Sequence, residues 1–303
     1  MTQTRRQILA SAAALPLAAA ASPAFAGAPM LGPARSPFNR FRLGSFEVTT
    51  LLAAERTVPD PHSIFGLNVD AQTFAEVSRA ASIPDDRAQF FFTPTLVNTG
   101  DELVLFDTGY DGADMAAALG AAGYETDQVD LVVITHMHPD HIGGLMQDGA
   151  PTFAKARYVT GRVEYDAWAA MGNSGFDQKV RPLAETMTMI EDGDSVVPGI
   201  TAMAAFGHTP GHMTYMIESD DARLLVAADF ANHYVWSLAR PDWEVKFDMD
   251  KSAAANTRRR VLDMLATDRV PFVGYHMPWP GTGFVERRGE GFAYVPTSYQ
   301  LRL

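Results

Sequence analysis

The sequence contains no cysteine among its 303 residues. This absence excludes catalysis by a thiolate, zinc sites with cysteine ligands, iron–sulfur clusters and lipidated cysteine. No apolar run of about 20 residues follows the N-terminal segment, so an integral membrane protein is not expected. Positive charge is also scarce, because 24 Lys and Arg face 36 Asp and Glu and the formal charge is -12. A polyanion would meet net repulsion, so we expect neither a nucleic-acid partner nor a membrane partner.

The N-terminus has the pattern of an export signal. Paired arginines at 5–6 open a basic region, residues 8–21 are rich in Ala and Leu, and the tripeptide Ala-Phe-Ala at 24–26 has the form of a cleavage site. The pattern resembles a twin-arginine signal peptide over residues 1–26. We therefore expect a periplasmic or secreted protein.

The remaining chain begins with an arm at 27–40 that is rich in Pro and Gly, and continues as one folded domain over 41–303. An arm of this kind can wrap a neighbouring subunit, so we expect a homodimer as one assembly. Strand-like runs alternate with helical patterns along the domain, which predicts a layered α/β fold. The predicted strands are 46–52, 91–98, 103–106, 131–135, 200–205, 213–217 and 224–228, and the predicted helices are 113–122, 162–171 and 251–266.

Three histidines and an aspartate lie within six residues in the segment His-Met-His-Pro-Asp-His, at the end of an apolar strand. Residues two apart share a face of an extended chain, so His136 and His138 point the same way. Asp140 and His141 are expected in the following turn, where they converge on a second position. The glycine pair at 143–144 lacks Cβ atoms and allows close backbone approach. This spacing predicts one pocket with two sets of ligands.

Other strand ends carry further candidate ligands. His208 and His212 occur in a Gly-His-Thr-Pro-Gly-His turn, Asp229 ends the run Leu-Leu-Val-Ala-Ala-Asp, and His276 follows a short strand. With one histidine of that turn as a ligand, five imidazoles and two carboxylates are available, which is sufficient for two adjacent divalent metal ions. Zinc is the first expectation, and manganese, cobalt and iron also accept nitrogen and oxygen ligands.

Four segments together resemble the metallo-β-lactamase superfamily, and within it the methyl parathion hydrolase-like branch of dinuclear metallohydrolases. They are AAGYETDQVDLVVITHMHPDHIGGLM, VPGITAMAAFGHTPGHMTYMIES, YHMPWPGTG and the FDTG turn. The resemblance implies an αββα sandwich with the dinuclear site at one edge of the sheets. It also implies a hydrolase in which a hydroxide bridging two metals attacks the substrate.

The resemblance also assigns roles to individual residues. It implies that His136, His138 and His208 ligate one metal, that Asp140, His141 and His276 ligate the other, and that Asp229 bridges both. Asp229 and Asp140 are the expected catalytic carboxylates, Asp229 because it can tune the bridging hydroxide and carry a proton to the leaving group.

The other histidines and one aspartate are interpreted separately. His212 is expected to support the ligands, and Asp107 is expected either to orient a metal ligand or to cap a turn. His62 and His233 are expected to be structural, although His233 follows Asp229 by four residues and remains a candidate substrate contact.

The expected substrate is a small apolar lactone, aryl ester or phosphotriester, as the resembled branch implies. Acyl-homoserine lactonases of the superfamily carry a tyrosine three residues after the bridging aspartate, and Asn232 stands at that position here. This departure weakens the expectation of a signal lactone. Aromatic residues could line an apolar pocket, and Trp279 or a member of the trio Phe90, Phe91 and Phe92 is favoured over Trp168 and Trp236.

Three alternatives remain open at this point: a thioesterase or a β-lactamase-type hydrolase of the same fold, or a noncatalytic metal-binding protein. Residues 171–194 combine loop chemistry with a mixed helical stretch, which is typical either of a lid or of a surface connection. The basic triplet at 258–260 is interpreted as a solvated helix face.

Overall fold

A computed structural model describes residues 30–302 of the chain. The predicted signal peptide, 1–26, lies outside the described residues. The helices are α1 (Ala71–Ala80), α2 (Gly112–Ala121), α3 (Pro139–Ile142), α4 (Arg162–Met171), α5 (Ser174–Lys179) and α6 (Lys251–Asp268). The strands are β1 (Phe38–Leu43), β2 (Phe46–Leu51), β3 (Ala54–Pro59), β4 (Arg87–Phe92), β5 (Thr95–Asn98), β6 (Leu103–Phe106), β7 (Leu131–Ile134), β8 (Met146–Gln147), β9 (Ala150–Pro151), β10 (Arg157–Gly161), β11 (Met187–Ile190), β12 (Ser195–Val197), β13 (Ile200–Ala204), β14 (Met213–Ser219), β15 (Ala222–Ala228), β16 (Phe272–Gly274), β17 (Thr282–Arg288) and β18 (Gly291–Pro296).

Two seven-stranded sheets form the frame of the domain, Ser36–Leu303. The first has the order β1-β2-β5-β6-β7-β10-β11, and β6, β7, β10 and β11 pair in parallel because helices connect them. The second runs in chain order from β12 to β18 and contains one parallel pair, β15 with β16. Among the described residues, no helix has the length and apolar character needed to cross a bilayer.

Alternation of side chains along the strands builds three apolar layers. In β6, Leu103 and Leu105 pack toward α2, whereas Val104 and Phe106 belong to the layer between the sheets. On the far side of the second sheet, residues of α6 such as Leu262 pack on strands β15 and β16. The order helix, sheet, sheet, helix confirms the αββα sandwich.

The ends of the predicted strands lie within two residues of the observed ends except at 91–98. That segment was expected as one strand, but it forms the end of β4 and all of β5, in two different sheets. The break falls at Thr93 and Pro94, because proline has no N–H to continue a ladder and restricts the residue before it. A strand also begins at Phe38, within the segment expected as an arm, while residues 30–35 contain neither helix nor strand.

A small wall lies outside the two large sheets. It consists of the antiparallel pair β3 and β4, together with the chain from Pro61 to the end of α1 that lies between them in sequence. Phe65 and Phe74 of this wall pack with Phe90 and Trp236 in a fourth apolar cluster. The wall stands beside the strand ends that carry the candidate ligands, so it shapes access to them.

Candidate metal centre

The predicted site residues meet where strands of the two large sheets end. Strand β7 ends two residues before His136, β15 ends directly before Asp229, and β16 ends two residues before His276. Ala228 adopts a positive φ of 48°, a conformation that costs energy for a residue with a Cβ. This turn of the backbone carries Asp229 off the end of its strand.

Three histidines form the first set of facing side chains, here named the imidazole group: His136, His138 and His208. His136 Nε2 lies 3.1 Å from His138 Nδ1, and His138 Nδ1 lies 3.0 Å from His208 Nε2. The shared face of His136 and His138 follows from the extended backbone of the segment, while Met137 between them is fully buried in the core.

The second set, named the carboxylate group, contains Asp140, His141, Asp229 and His276. His276 Nε2 lies 3.3 Å from Asp140 Oδ2 and 3.2 Å from Asp229 Oδ2. Asp140 and His141 were expected in the turn that follows the strand. In the structure this turn is a single turn of helix, α3. Pro139 starts this turn, because its missing N–H costs nothing at the first helical position.

One oxygen of Asp229 lies between the two groups. Asp229 Oδ2 is 3.5 Å from His208 Nε2 and 3.9 Å from His136 Nε2, both in the imidazole group. The same oxygen is 3.2 Å from His276 Nε2 and 3.5 Å from His141 Nε2 in the carboxylate group. The structure therefore brings all seven residues together in the two sets that were expected, and their roles as ligands stay a prediction.

Hydrogen bonds behind the rings fix which nitrogen faces the site. His141 Nδ1 donates to Asp107 Oδ2 at 2.8 Å, and His276 Nδ1 donates to the carbonyl oxygen of Phe91 at 2.8 Å. A ring that donates from Nδ1 presents the lone pair of Nε2 to its other neighbours. Asp107 also accepts from Thr135 N and Thr135 Oγ1, so this carboxylate orients a candidate ligand, which is one of its two expected roles.

A buried ion pair that the sequence did not reveal supports His208. His208 Nδ1 donates to Asp248 Oδ1 at 2.9 Å, and Arg258 Nη1 donates to Asp248 Oδ2 at 2.7 Å. Arg258 is fully buried, so the interpretation of its triplet as a solvated face is wrong at this position. It also donates to the carbonyl oxygens of Pro241 and Trp243, which compensates the loss of water around its guanidinium.

A second buried carboxylate joins the loops that carry the imidazole group. Glu164 Oε1 accepts from Met137 N at 2.9 Å, between His136 and His138. Its other oxygen accepts from Thr209 Oγ1 and Gly211 N, both at 2.8 Å, just after His208. Burial raises the pKa of Glu164, and these donors oppose the rise. Nothing in the sequence around Glu164 distinguishes it from an ordinary helix residue.

The remaining histidines have separate surroundings. His212 Nε2 accepts from Asp229 N at 3.0 Å, so His212 supports the backbone of a candidate ligand. His233 stacks on Trp236 with ring centroids 3.9 Å apart and accepts from the backbone N–H of Val235. His62 stacks on Phe74 at 4.7 Å. Neither His62 nor His233 lines the cavity above the ligands, as a structural role predicts.

Electrostatics separate the two groups. Burial lowers the pKa of His138 to about 3 and that of His136 well below its usual value, and neighbouring imidazoles add to the effect. In the carboxylate group, burial acts to lower the pKa of His276, but Asp229 and Asp140 outweigh it and raise that pKa to about 10. Burial opposes ionisation of Asp229, yet His276 and His141 hold its pKa well below its usual value.

The donor atoms fit two divalent cations. His141 Nε2 and Asp229 Oδ1 are buried and have no hydrogen-bond partner within the described residues. An unpaired buried polar atom costs about 1–3 kcal/mol, which a bound cation would recover. In the imidazole group, the Nε2 lone pair of His208 faces the nitrogens of two further rings. Imidazole and carboxylate donors in this number suit zinc and similar ions.

A cavity of about 230 Å³ opens beside the two groups. The wall contributes most of its apolar lining, and the candidate ligands form its floor. It is lined by Arg56, Val58, Ile64, Phe90, Phe92, Tyr110, His138, Pro139, Asp140, Asp229, Phe247 and His276. No residue of 171–194 contributes, so the segment that could have been a lid instead forms α5 and edge strand β11.

The aromatic expectations are met only in part. Phe90 and Phe92 line the cavity, whereas Phe91 and Trp279 do not. Trp168 and Trp236 are buried in apolar clusters, although the ring of Trp168 also stands against His138 with centroids 5.8 Å apart. Sequence reasoning missed Arg56, Tyr110 and Phe247, because no local pattern places these distant segments at one cavity.

Comparison with known proteins agrees with this geometry. A family model described as the metallo-beta-lactamase superfamily matches residues 93–276, more than half of the chain. The N-acyl homoserine lactonase of Bacillus cereus is 30% identical over 159 residues, 52% of this chain and 60% of the lactonase. The N-acyl homoserine lactonase AiiA of Bacillus thuringiensis subsp. kurstaki is 31% identical over 104 residues, 34% of this chain and 39% of that enzyme. The chain thus matches less than two thirds of the length of these relatives.

Two solved structures share the fold across most of the chain. The dizinc quorum-quenching lactonase AidC is 23% identical with a TM-score of 0.79, covering 87% of this chain and 98% of that one. The hydrolase AbOPH of the beta lactamase superfamily is 22% identical with a TM-score of 0.81, covering 88% of this chain and 99% of that one. With the family match and the ligand geometry, this likeness leads to one conclusion: the chain belongs to the metallo-β-lactamase superfamily.

Proposed function

We propose that the protein is a dinuclear metal-dependent hydrolase of small apolar lactones, aryl esters or phosphotriesters. The observation that carries this proposal is the position of Asp229 Oδ2, within 3.9 Å of ring nitrogens from both ligand groups. A carboxylate in that position suits a pair of ions that share one ligand, and sites of two ions serve hydrolysis in many enzymes.

In this proposal seven residues bind the two metal ions, and one of them, Asp229, also transfers a proton. His136, His138 and His208 would hold one ion, and Asp140, His141 and His276 the other, with Asp229 shared. Two such ions, when bound, would supply an activated water and polarise the carbonyl or phosphoryl oxygen of the substrate, which exposes the carbon or phosphorus to attack. We also propose that Asp229, as the shared carboxylate, passes a proton to the leaving group.

The lining of the cavity supports a substrate with an apolar body. Val58, Ile64, Phe90, Phe92 and Phe247 surround the open side of the ligand groups. The two relatives described above are N-acyl homoserine lactonases, which favours a lactone as the first substrate to test. Zinc is the proposed metal, and membership of the methyl parathion hydrolase-like branch, with its aryl ester and phosphotriester activity, belongs to the same proposal.

The test is a panel of initial rates on the mature protein, residues 27–303, loaded with zinc. An aromatic lactone, an aryl ester, a phosphotriester, a thioester and a β-lactam are compared with and without a chelator. We expect turnover of the lactone or the aryl ester to lead and to be abolished by the chelator. A leading triester would narrow the proposal to phosphotriesters. A leading thioester or β-lactam would contradict it, and no turnover at all would favour the noncatalytic metal-binding protein.

We also propose that the protein is exported through the twin-arginine route to the periplasm. The support is the sequence of residues 1–26 alone. Replacing both arginines at 5–6 with lysine should retain the full-length precursor in the cytoplasm, whereas the native chain should be recovered from the periplasm without residues 1–26. Equal export of both chains would contradict the proposal. A homodimer stays a prediction, which the mass of the purified protein in solution would test.

A further inference from the structure

Two side chains in the cavity can donate hydrogen bonds and are not candidate ligands. Apart from the floor residues, the lining is apolar except for Arg56 and Tyr110. Arg56 reaches the cavity from strand β3, and Tyr110 follows strand β6 by four residues. A pocket that is mostly apolar relies on a few such groups to orient its ligand.

The backbone of Tyr110 is held against the segment that carries two candidate ligands. Thr108 N and Thr108 Oγ1 both donate to the carbonyl oxygen of His141, at 2.9 and 2.8 Å. Gly144 N donates to the carbonyl oxygen of Gly109 at 3.2 Å. A Cβ on Gly143 would lie 2.1 Å from the carbonyl oxygen of Tyr110, so only glycine permits this approach. Tyr110 therefore has a fixed position relative to the site.

The ring of Tyr110 is held from two sides, while its hydroxyl is free. Phe92 packs edge-on against the ring with centroids 4.8 Å apart, and the guanidinium of Arg56 lies 5.6 Å from the ring centroid. Among the described residues the hydroxyl makes no hydrogen bond, and the side chain is 40% exposed. Burial, with the charge of Asp140, raises the pKa of Tyr110 to about 12, so the hydroxyl keeps its proton at neutral pH.

Asn232 does not offer a comparable donor to the cavity. Its Nδ2 donates to Asp229 Oδ2 at 3.1 Å, and its side chain is buried outside the cavity lining. The position three residues after Asp229 thus supports the carboxylate, and the phenol in this site comes from another strand end.

We propose that Tyr110 is a substrate-contacting catalytic residue, whose hydroxyl donates a hydrogen bond to the substrate oxygen that gains negative charge during hydrolysis. This proposal rests on the proposed function. A donor already in place is most effective when the oxygen becomes negative, because no reorganisation is then required. Phe92 and Arg56 hold the ring, and the glycine pair at 143–144 holds the backbone.

The test compares Tyr110→Phe with the native protein on whichever panel substrate the native protein hydrolyses fastest. Loss of one such donor should lower kcat about 10- to 100-fold and change KM less than about threefold, because the bond strengthens in the transition state. Tyr165→Phe is the matched control. It removes a hydroxyl from a half-buried tyrosine of α4 outside the cavity, and its kcat should equal that of the native protein.

A binding experiment keeps this test separate from that of the proposed function. Phenylphosphonate presents negatively charged oxygens on a tetrahedral centre, and calorimetry should show about tenfold weaker binding to Tyr110→Phe than to the native protein. Metal content and Tm of the variant should match those of the native protein. If the native protein hydrolyses nothing, the proposed function fails and the phosphonate result alone decides whether Tyr110 is a donor.

Two outcomes would overturn the assignment of Tyr110. The first is kcat and phosphonate affinity in Tyr110→Phe within twofold of the native values. The second is a loss in Arg56→Gln that equals or exceeds the loss in Tyr110→Phe and is just as large when Tyr110 is already Phe, since the guanidinium would then act independently of the ring that it holds.

Discussion

The two ligand groups lie side by side, yet they solve the problem of binding a cation differently. The imidazole group contains no carboxylate among its members, and burial keeps the pKa values of His136 and His138 low. The carboxylate group brings Asp140 and Asp229 into direct contact with its histidines. Negative charge is thus inside one group and absent from the other. The negative charge nearest the imidazole group is on Asp248, which pairs with His208 Nδ1, and on the shared Asp229, which lies near His208 Nε2.

This difference predicts where each group is vulnerable. The carboxylate group carries negative charge on its own members, whereas the imidazole group depends for charge on the shared Asp229 and on Asp248, which does not line the cavity. Buried partners behind a metal ligand fix its orientation and raise its affinity for the metal. We therefore expect the largest loss of function from substitution of the shared Asp229 and a smaller one from substitution of Asp248 behind the imidazole group. Substitutions of residues that contact neither set of ligands should change stability only.

Asp229→Asn should have the largest effect, because it removes charge from both groups at once. We expect hydrolysis to fall by more than the roughly 100-fold that losing an outer partner costs. Initial rates and bound metal per chain, measured by atomic emission, check this. Unchanged hydrolysis with both metals retained would show that the groups do not share this residue.

Asp248→Asn should act on the imidazole group alone. It weakens the partner of His208 Nδ1, so we expect the affinity for one of two zinc ions to fall roughly 10- to 100-fold. Competition with a chromogenic chelator measures the two affinities separately. Asp242→Asn is the matched control, since Asp242 pairs with the exposed Arg259 near the surface. Equal weakening of both ions would contradict the separation of the groups.

Glu164→Gln should destabilise the protein before any metal is bound. The amide would turn a donor toward N–H or hydroxyl groups that now donate to Glu164, so the free energy of unfolding should fall by about 2 kcal/mol. Urea unfolding in chelator measures this, with the exposed Glu185→Gln as control. A stability equal to that of the native protein would show that the hydrogen bonds of Glu164 to the two loops do not stabilise the fold.

His233 gives the smallest expected effect and a reference outside both groups. Burial lowers the pKa of His233 to about 3 in the folded protein. Below the ordinary His pKa of about 6.5, the unfolded chain therefore binds a proton at His233 and the folded protein does not. Its contribution to stability is therefore complete above that pH and falls as the pH drops toward 3, by about 1 kcal/mol between pH 7 and pH 5.5. Urea unfolding in chelator should show a shallower pH dependence in His233→Gln. Identical slopes would mean that His233 does not titrate on unfolding.

The sequence predicted the parts of the site that depend on local order. Residues two apart in an extended segment must share a face, which places His136 and His138 without knowledge of the fold. The ends of β7 and β15 were visible as limits of apolar runs, so the positions of Asp229 and its neighbours could be expected. The supporting role of Glu164 could not, because Glu164 and its partner Gly211 are 47 positions apart.

Arg258 illustrates the same limit in the other direction. The charge of an arginine within a triplet of arginines predicts that its side chain is exposed to solvent, as the side chains of Arg259 and Arg260 are. Only the tertiary position of Asp248, ten residues earlier, explains a fully buried guanidinium at 258. The break between β4 and β5 at Thr93 and Pro94 was also missed from the sequence. The apolar pattern of 91–98 does not indicate that its two halves join different sheets.

The small wall made by β3, β4 and the chain from Pro61 to the end of α1 has a consequence for how this protein can change. Arg56, Val58, Ile64 and Phe90 all precede the segment that the family model matches, which begins at residue 93. The candidate metal ligands and most of the apolar lining of the cavity are thus encoded in separate stretches of the gene. Recombination at that boundary could exchange one substrate preference for another while leaving the machinery of hydrolysis intact.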